Sequence, residues 1–158
     1  MIKTEKPVEL DEYLPYQIDY TANFNKSFRR EFQNQFISPD LTPDEMAILY
    51  CIHYKPLISQ SEMAKFLFKG KAHVGKILND METRGLIKRV ADTRDNIIIK
   101  RNEMTEEGLK IFEKGFKEGL KVKEKMKQEF TKEDIEQFIS YLKRYQKVLN
   151  SIVDVKLK

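Results

Sequence analysis

The sequence predicts a mainly α-helical protein with one small β-hairpin, an α+β class. Four segments place a Ser or Thr shortly before acidic residues, a pattern typical of helix N-termini, and they begin at Thr42, Ser59, Thr105 and Thr131. Between these starts, apolar residues recur every three or four positions, which is the spacing of a helix with one buried face. Residues 86–101 differ, because β-branched residues flank a polar turn there.

The first three helices each have a local signal. Aromatic residues at every fourth position predict a long first helix over residues 12–36. Pro at the first helical position after the Thr cap predicts a second helix over residues 42–53. The capping box Ser59-Gln60-Ser61-Glu62 predicts a short third helix over residues 59–68.

A fourth helix and a hairpin follow. The helix is predicted to end at Gly85, a residue type favoured in the left-handed position after a helix, and its core-facing residues are Val74, Ile77, Leu78 and Met81. The strands of the hairpin are predicted over residues 86–90 and 97–101, with a charged turn over residues 91–96.

Two long helices complete the chain, one after Thr105 and one after Thr131. The last helix has apolar residues at alternating steps of three and four: Ile135, Phe138, Leu142, Tyr145, Leu149 and Ile152. This spacing is that of a coiled-coil seam and predicts dimerisation through this face, with packing inside the same chain as the alternative.

Composition restricts the function classes. At 158 residues with 41% hydrophobic residues, the chain is long enough for one domain with a core. No apolar run reaches the roughly 20 residues that span a bilayer, and the N-terminus lacks the apolar stretch of a signal peptide. The single cysteine, Cys51, cannot form an internal disulfide. We therefore expect a cytoplasmic protein that does not contact membranes.

Positive charge is concentrated in the middle third of the chain. Between Lys65 and Arg101 there are ten Lys or Arg residues and four Asp or Glu residues, a local net charge of +6, whereas the whole chain carries +4. Such a block is typical of a surface that binds a polyanion. A solvated surface without a partner is the alternative.

Residues 70–77, GKAHVGKI, have the glycine and lysine spacing of a phosphate-binding loop. That loop follows a buried strand and ends in Ser or Thr, whereas here a helix precedes it and Ile77 occupies the last position. Two short helices with a tight turn between them, followed by a charged hairpin, instead predict a winged helix-turn-helix. A nucleotide-dependent enzyme built on Gly70–Lys76 is the less favoured alternative. Because no catalytic or metal-ligand spacing stands out, we expect no enzyme activity, metal or cofactor.

The chain resembles the MarR-type transcriptional regulators over nearly all of its length. The residues that carry the resemblance are Leu41-Thr42, Glu62-Met63-Ala64, Val74, Met81-Glu82, Gly85 to Arg89, and Met104 to Leu109. The resemblance implies a homodimeric transcriptional repressor that binds double-stranded DNA at a pseudo-palindromic operator. Residues 1–38 and 105–158 would form the dimerisation helices, and residues 39–104 the DNA-binding winged helix-turn-helix. A winged helix that contacts only other proteins is the alternative.

The predicted DNA contacts lie on the fourth helix and around it. With Val74 and Met81 facing the core, the opposite face and the neighbouring cations would meet DNA, namely Lys69, Lys71, Ala72, His73, Gly75, Lys76, Asn79, Arg84, Lys88 and Arg89. Asp92-Thr93-Arg94-Asp95 matches the family's wing pattern. The resemblance implies that Arg94 enters the minor groove and that Asp95 holds it.

The aromatic face of the first helix has two interpretations. In the first, the aromatic face packs in a dimer interface or in the protein core. In the second, which the resemblance implies, it forms one wall of a pocket for a small aromatic or amphipathic effector. The pocket residues would be Tyr16, Tyr20, Phe24, Cys51 and Phe112. Cys51 lies among apolar residues of the second helix, and we expect a buried thiol there rather than a peroxide sensor.

Overall fold

The computed structural model describes residues 12–94 and 97–155, excluding the side chains of residues 92–94 and 97–100. In these residues the elements are α1 (Leu14–Phe36), α2 (Pro43–Tyr54), α3 (Gln60–Leu67), α4 (Lys71–Thr83), β1 (Ile87–Arg94), β2 (Ile97–Met104), α5 (Glu106–Glu129) and α6 (Lys132–Ile152). The two strands form one antiparallel sheet. The predicted fold class, mainly helical with a hairpin wing, is confirmed.

Two compact units make up the chain, residues 1–43 and residues 44–158. In the first unit, α1 is an amphipathic helix with its aromatic rings in succession, such as Phe28 and Phe32 with centroids 5.5 Å apart. The helix ends where the amide N–H of Ile37 donates to the carbonyl of Gln33. The buried Gln33 side chain then donates to the carbonyl of Leu41 at 2.6 Å, which fixes the loop after α1.

The core of the second unit is formed by apolar side chains from α2, α3, α4 and β1. Its fully buried members are Ile48, Leu49, Met63, Val74, Leu78, Met81 and Ile87. Helix α5 contacts α2 through Phe112, which is 3% exposed and stacks on His53 with the ring centroids 4.4 Å apart. Tyr50 meets the same ring edge-on at 5.2 Å, and burial is the main reason why its pKa is raised. Each burial of such an aromatic ring contributes roughly 2 kcal/mol to folding.

The hairpin is longer than the sequence predicted. Residues 91–94, predicted as part of the turn, continue β1 and pair with residues 97–100, and β2 continues to Met104. The pairing extends because the β-branched residues Ile97, Ile98 and Ile99 lie opposite Arg94, Thr93 and Asp92 in the ladder. The predicted turn over residues 91–96 was therefore wrong at residues 91–94.

A tight junction joins the hairpin to α5. The Thr105 hydroxyl caps α5 by accepting from the amide N–H of Gly108, and it donates to the carbonyl of Gly85 at 2.6 Å. The Thr105 amide donates to the carbonyl of Leu86 at 3.1 Å. A Cβ added at Gly108 would lie 2.0 Å from that same carbonyl oxygen, so no other residue fits without moving the backbone. This junction fixes where α5 begins relative to α4 and β1.

Helices α5 and α6 carry long apolar stripes that stay accessible within the chain. No residue of α6 is buried, although it has the predicted seam, and Phe138 and Ile152 are 60% and 75% exposed. Along α5, Leu120 and Met126 are also exposed. No helix in the described ranges has the length and apolar character needed to cross a membrane.

Candidate nucleic-acid interface

Helices α3 and α4 form the predicted helix-turn-helix. Ser59 caps α3 in a complete capping box, accepting from the amide of Glu62, whose carboxylate accepts from the Ser59 amide at 2.9 Å. Helix α3 ends at Leu67, the next residue, Phe68, has a left-handed φ of 53°, and α4 begins after Gly70. GKAHVGKI therefore forms the helix start that the sequence predicted, preceded by a helix and not by a strand.

The two faces of α4 differ sharply. Val74, Leu78 and Met81 are at most 1% exposed and form the inner face. The exposed face carries Lys71, Ala72, His73, Lys76, Asn79 and Asp80. Helix α4 has no side chain that caps its N-terminus and no acid in its first turn. Its first backbone amides therefore point outward with a partial positive charge, which favours an anion at this end.

Two acidic residues at the start of α2 hold the helix-turn-helix by ion pairs. The Asp44 carboxylate lies 3.1 Å from the Lys69 ammonium, just before α4. The Glu45 carboxylate, 5% exposed, lies 2.5 Å from the Arg84 guanidinium at the end of α4. Arg84 also pairs with Asp80 at 2.9 Å, and its pKa is raised, mainly by that hydrogen bond. Lys69 and Arg84, both predicted to contact DNA, thus have an internal structural role.

The base of the wing is held in the same way. The Lys88 ammonium lies 3.2 Å from the carboxylate of Glu103 on the opposite strand. The Arg89 guanidinium lies 3.4 Å from the Glu82 carboxylate and donates to the Asn79 side chain. Charge at Lys88 and Arg89 is therefore partly neutralised within the chain.

Three cations of the basic block have no such pairing. Within the described part of the chain, the ammonium groups of Lys65, Lys71 and Lys76 have no carboxylate within ion-pair distance. Lys71 and Lys76 lie on the exposed face of α4, with Ala72 and His73 between them. The first turn and a half of α4 is thus an exposed basic surface whose lysines have no carboxylate partner among the described residues.

Gly75 does not face outward as the sequence predicted. It is half-buried, and a Cβ added there would lie 2.7 Å from the Nε2 atom of Gln60 on α3. The same Nε2 atom donates to the carbonyl of Lys71 at 2.8 Å. Sequence reasoning missed Gln60 because it was counted only as a member of the capping box. A glycine in the middle of a helix, where Ala is preferred, was the available signal.

Other predicted site residues lie in less accessible positions or outside the described set. Asp95 and the side chain of Arg94 fall outside the described residues, so the wing-tip contacts stay a prediction. Cys51 is buried, and burial raises the pKa of its thiol. The predicted pocket residues belong to different units: Tyr16, Tyr20 and Phe24 are exposed on α1, and Cys51 and Phe112 are buried in the second unit.

Comparison with known proteins agrees with this geometry. Residues 41–96 match the model of the MarR family. No curated protein matches the sequence. The chain is similar in structure to a MarR/EmrR family transcriptional regulator from Acinetobacter sp. ADP1, with a TM-score of 0.72 and 18% identity, covering 91% of this chain and 99% of that one.

Two further solved structures share the fold. One is MepR from Staphylococcus aureus in a complex with DNA, with a TM-score of 0.71 and 21% identity over 88% of this chain and 98% of that one. The other is PcaV from Streptomyces coelicolor in complex with its natural ligand, with a TM-score of 0.67 and 15% identity over 90% and 98%. The match of residues 41–96 to the MarR family model and the shared fold confirm the resemblance predicted from the sequence, and the fold is a winged helix-turn-helix.

Proposed function

We propose that this chain is a DNA-binding transcriptional regulator that acts as a homodimer on a pseudo-palindromic duplex. The observation that carries the proposal is the exposed start of α4, where Lys71 and Lys76 have no carboxylate partner among the described residues. MepR, which has the same fold, was solved in a complex with DNA, and this supports the proposal. The recognition surface would be the first half of α4 and not its whole length.

The residue types on this surface suit the major groove. Helix α4 has 13 residues, about 20 Å of length, and an α-helix fits the roughly 12 Å width of that groove. Lys76 can donate to the acceptors of a guanine edge or to a phosphate, and the methyl group of Ala72 can contact a thymine methyl. Lys71 and the free amides at the helix start can bind phosphates. In the second half of α4, Asp80 and Glu82 partly neutralise Arg84 and Arg89, so this half has less positive charge to offer phosphates. Arg94 is proposed to probe the minor groove, held by Asp95.

The second copy of the chain is proposed to cover the apolar stripes of the terminal helices. An apolar seam with no buried residue is costly to leave in water, since about 25 cal/mol is lost for each Å² left uncovered. Six seam residues on α6 would take part: Ile135, Phe138, Leu142, Tyr145, Leu149 and Ile152. Residues 1–38 and 105–158 would then be the dimerisation regions, and residues 39–104 the DNA-binding region.

Regulation is proposed to be repression relieved by a small aromatic or amphipathic effector. A ligand changes DNA binding only if it favours one spacing of the two α4 helices over another. PcaV was solved in complex with its natural ligand, and this supports an effector in a protein of this fold. The candidate pocket residues are those predicted from the sequence: Tyr16, Tyr20, Phe24, Cys51 and Phe112.

Salt dependence of DNA binding tests the proposal without knowledge of the operator. Fluorescence anisotropy of a labelled random-sequence duplex is measured at several salt concentrations. Two lysines in each of two chains would neutralise about four phosphates, so the slope of log affinity against log salt should be about −3.6 or steeper. The Lys71→Ala/Lys76→Ala variant should have a much shallower slope. Absence of binding, or a flat slope for the natural protein, would refute DNA as the partner.

Sedimentation velocity tests the dimer separately. The natural chain should sediment with twice the chain mass at micromolar concentration. Phe138→Glu, which places a charge on the proposed interface, should shift it to the monomer, whereas Lys147→Glu on the same helix should not. A monomeric natural chain would contradict the proposed assembly.

A further inference from the structure

The contact between Gln60 and Gly75 points to a positioning device for the recognition helix. Gln60 is the first residue of α3, and Lys71, whose carbonyl accepts from the Gln60 amide at 2.8 Å, is the first residue of α4. We propose that this bridge between the two helix starts sets the direction in which α4 presents Lys71 and Lys76 to DNA. The inference rests on the proposed function, because it assigns a specificity-determining role within the same site. We call the contact the Gln60 bridge.

The bridge depends on the missing side chain at position 75. Gly75 lies one turn after Lys71 on the same face of α4, so any Cβ there projects into the space beside the Lys71 carbonyl. That space holds the Gln60 amide, whose Nε2 atom is 2.7 Å from the Cβ position and whose Cδ atom is 3.5 Å from it. A methyl group at position 75 therefore forces the Gln60 amide out of the position in which it forms the bridge. This gives a physical reason for a glycine inside a helix, where it is otherwise unfavourable.

Geometry explains why one hydrogen bond affects orientation. The turn of residues 68–70 joins the end of α3 to the start of α4, and the Arg84–Glu45 ion pair holds the far end of α4. The Gln60 bridge attaches the start of α4 to the other end of α3, about 10 Å away along the helix axis. The Gln60 amide meets α4 at two successive turns, at the Lys71 carbonyl and against Gly75, and so sets the direction of the start of α4, while the packing of α3 against α4 fixes their distance. Loss of the bridge should shift the first turns of α4 while leaving the core in place.

The bridge involves no charged group, and this separates its effects from those of phosphate contacts. Removing it changes neither the number of cations nor the free ammonium groups of Lys71 and Lys76. Binding to random-sequence DNA, which is dominated by counterion release, should therefore be nearly unchanged. Binding to a selected duplex requires side chains in register with base edges, and it should weaken.

The test is a double-mutant cycle with Gln60→Met, which keeps the side-chain length without the donor, and Gly75→Ala. Each single variant should weaken binding to a duplex selected from a random pool by about five-fold to ten-fold. The affinity for random-sequence DNA should stay within about two-fold of the natural value, and the salt slope should stay within about one unit of it. The double variant should bind no more weakly than either single variant, because both remove the same bridge.

Folding stability provides the matched readout. Ala is a better helix former than Gly, which offsets the loss of one hydrogen bond, so the melting temperature of Gly75→Ala should change little although its specific affinity falls. Gly119→Ala, a helical glycine far along α5 with Tyr50 at ordinary contact distance, is the control and should bind the selected duplex normally. Natural affinity in both single variants, or losses that multiply in the double variant, would overturn the Gln60 bridge. If the natural protein selects no duplex at all, the proposed function itself fails.

Discussion

Substitution of Gly108 by Ala tests the junction between the wing and α5. The new Cβ would lie 2.0 Å from the Leu86 carbonyl oxygen and 3.0 Å from its carbon, whereas ordinary contacts begin near 3.4 Å. Both sides of this contact are backbone, so α5 must move away by more than 1 Å. Overpacking of this kind costs about 1–3 kcal/mol. The movement would also stretch the two hydrogen bonds of Thr105 to Gly85 and Leu86, at about 1 kcal/mol each.

Ala recovers up to about 1 kcal/mol as the better helix former, so we expect the free energy of unfolding to fall by about 2–4 kcal/mol. For a chain of this length the melting temperature should drop by about 5–15 °C, measured by calorimetry at fixed protein concentration because a dimer melts in a concentration-dependent way. Gly119→Ala on the same helix is the control and should melt at the same temperature or higher. If Gly108→Ala melts within about 1 °C of the natural chain, the reasoning about this junction is wrong.

Four further outcomes are expected. Arg84→Ala should lower the free energy of unfolding by about 2 kcal/mol, because Glu45 loses its guanidinium partner, and it should leave the salt slope of DNA binding unchanged. Lys76→Ala should leave the melting temperature unchanged and make the salt slope shallower by about 2 in a dimer. Phe68→Gly should raise the free energy of unfolding by about 0.5–1 kcal/mol in urea titrations, because a Cβ is unfavourable at a φ of 53°. Hydrogen bonds from Lys55 and Ser59 lower the pKa of Glu62 from 4.5 to about 2, so its carboxylate stabilises the fold above pH 4.5 and this contribution disappears as the pH falls to 2. Glu62→Gln should therefore melt below the natural chain at pH 7, with the gap closing towards pH 2; a gap that is constant with pH would contradict this assignment.

Much of the fold could be predicted because the helix boundaries are encoded locally. Ser59 and Thr131 form complete capping boxes, and Gly85 has the left-handed φ of 69° expected after a helix. The left-handed residue at the end of α3 could not be predicted, because Phe68 has no preference for that conformation. The hairpin was underestimated since strand pairing depends on residues in the opposite strand, which periodicity within one strand does not reveal.

The candidate site was predicted only in part, because charge counts do not reveal which cations are already paired. Arg84 and Glu45 are 39 positions apart in the sequence, and their contact exists only once α2 and α4 have packed. The predicted surface from Lys69 to Arg89 therefore narrows to the region around Lys71 and Lys76. The residues that hold this region in place, such as Gln60, are polar groups whose role depends on a single tertiary contact.

The central claim is that two copies of α4, related by a two-fold axis, read one duplex. Selection of bound duplexes from a random DNA pool by the natural protein, followed by sequencing, tests this claim most directly. The account predicts an inverted repeat whose half-sites are centred about one helical turn, roughly 10 base pairs, apart. A pool without enrichment, or an enriched motif without two-fold symmetry, would contradict it.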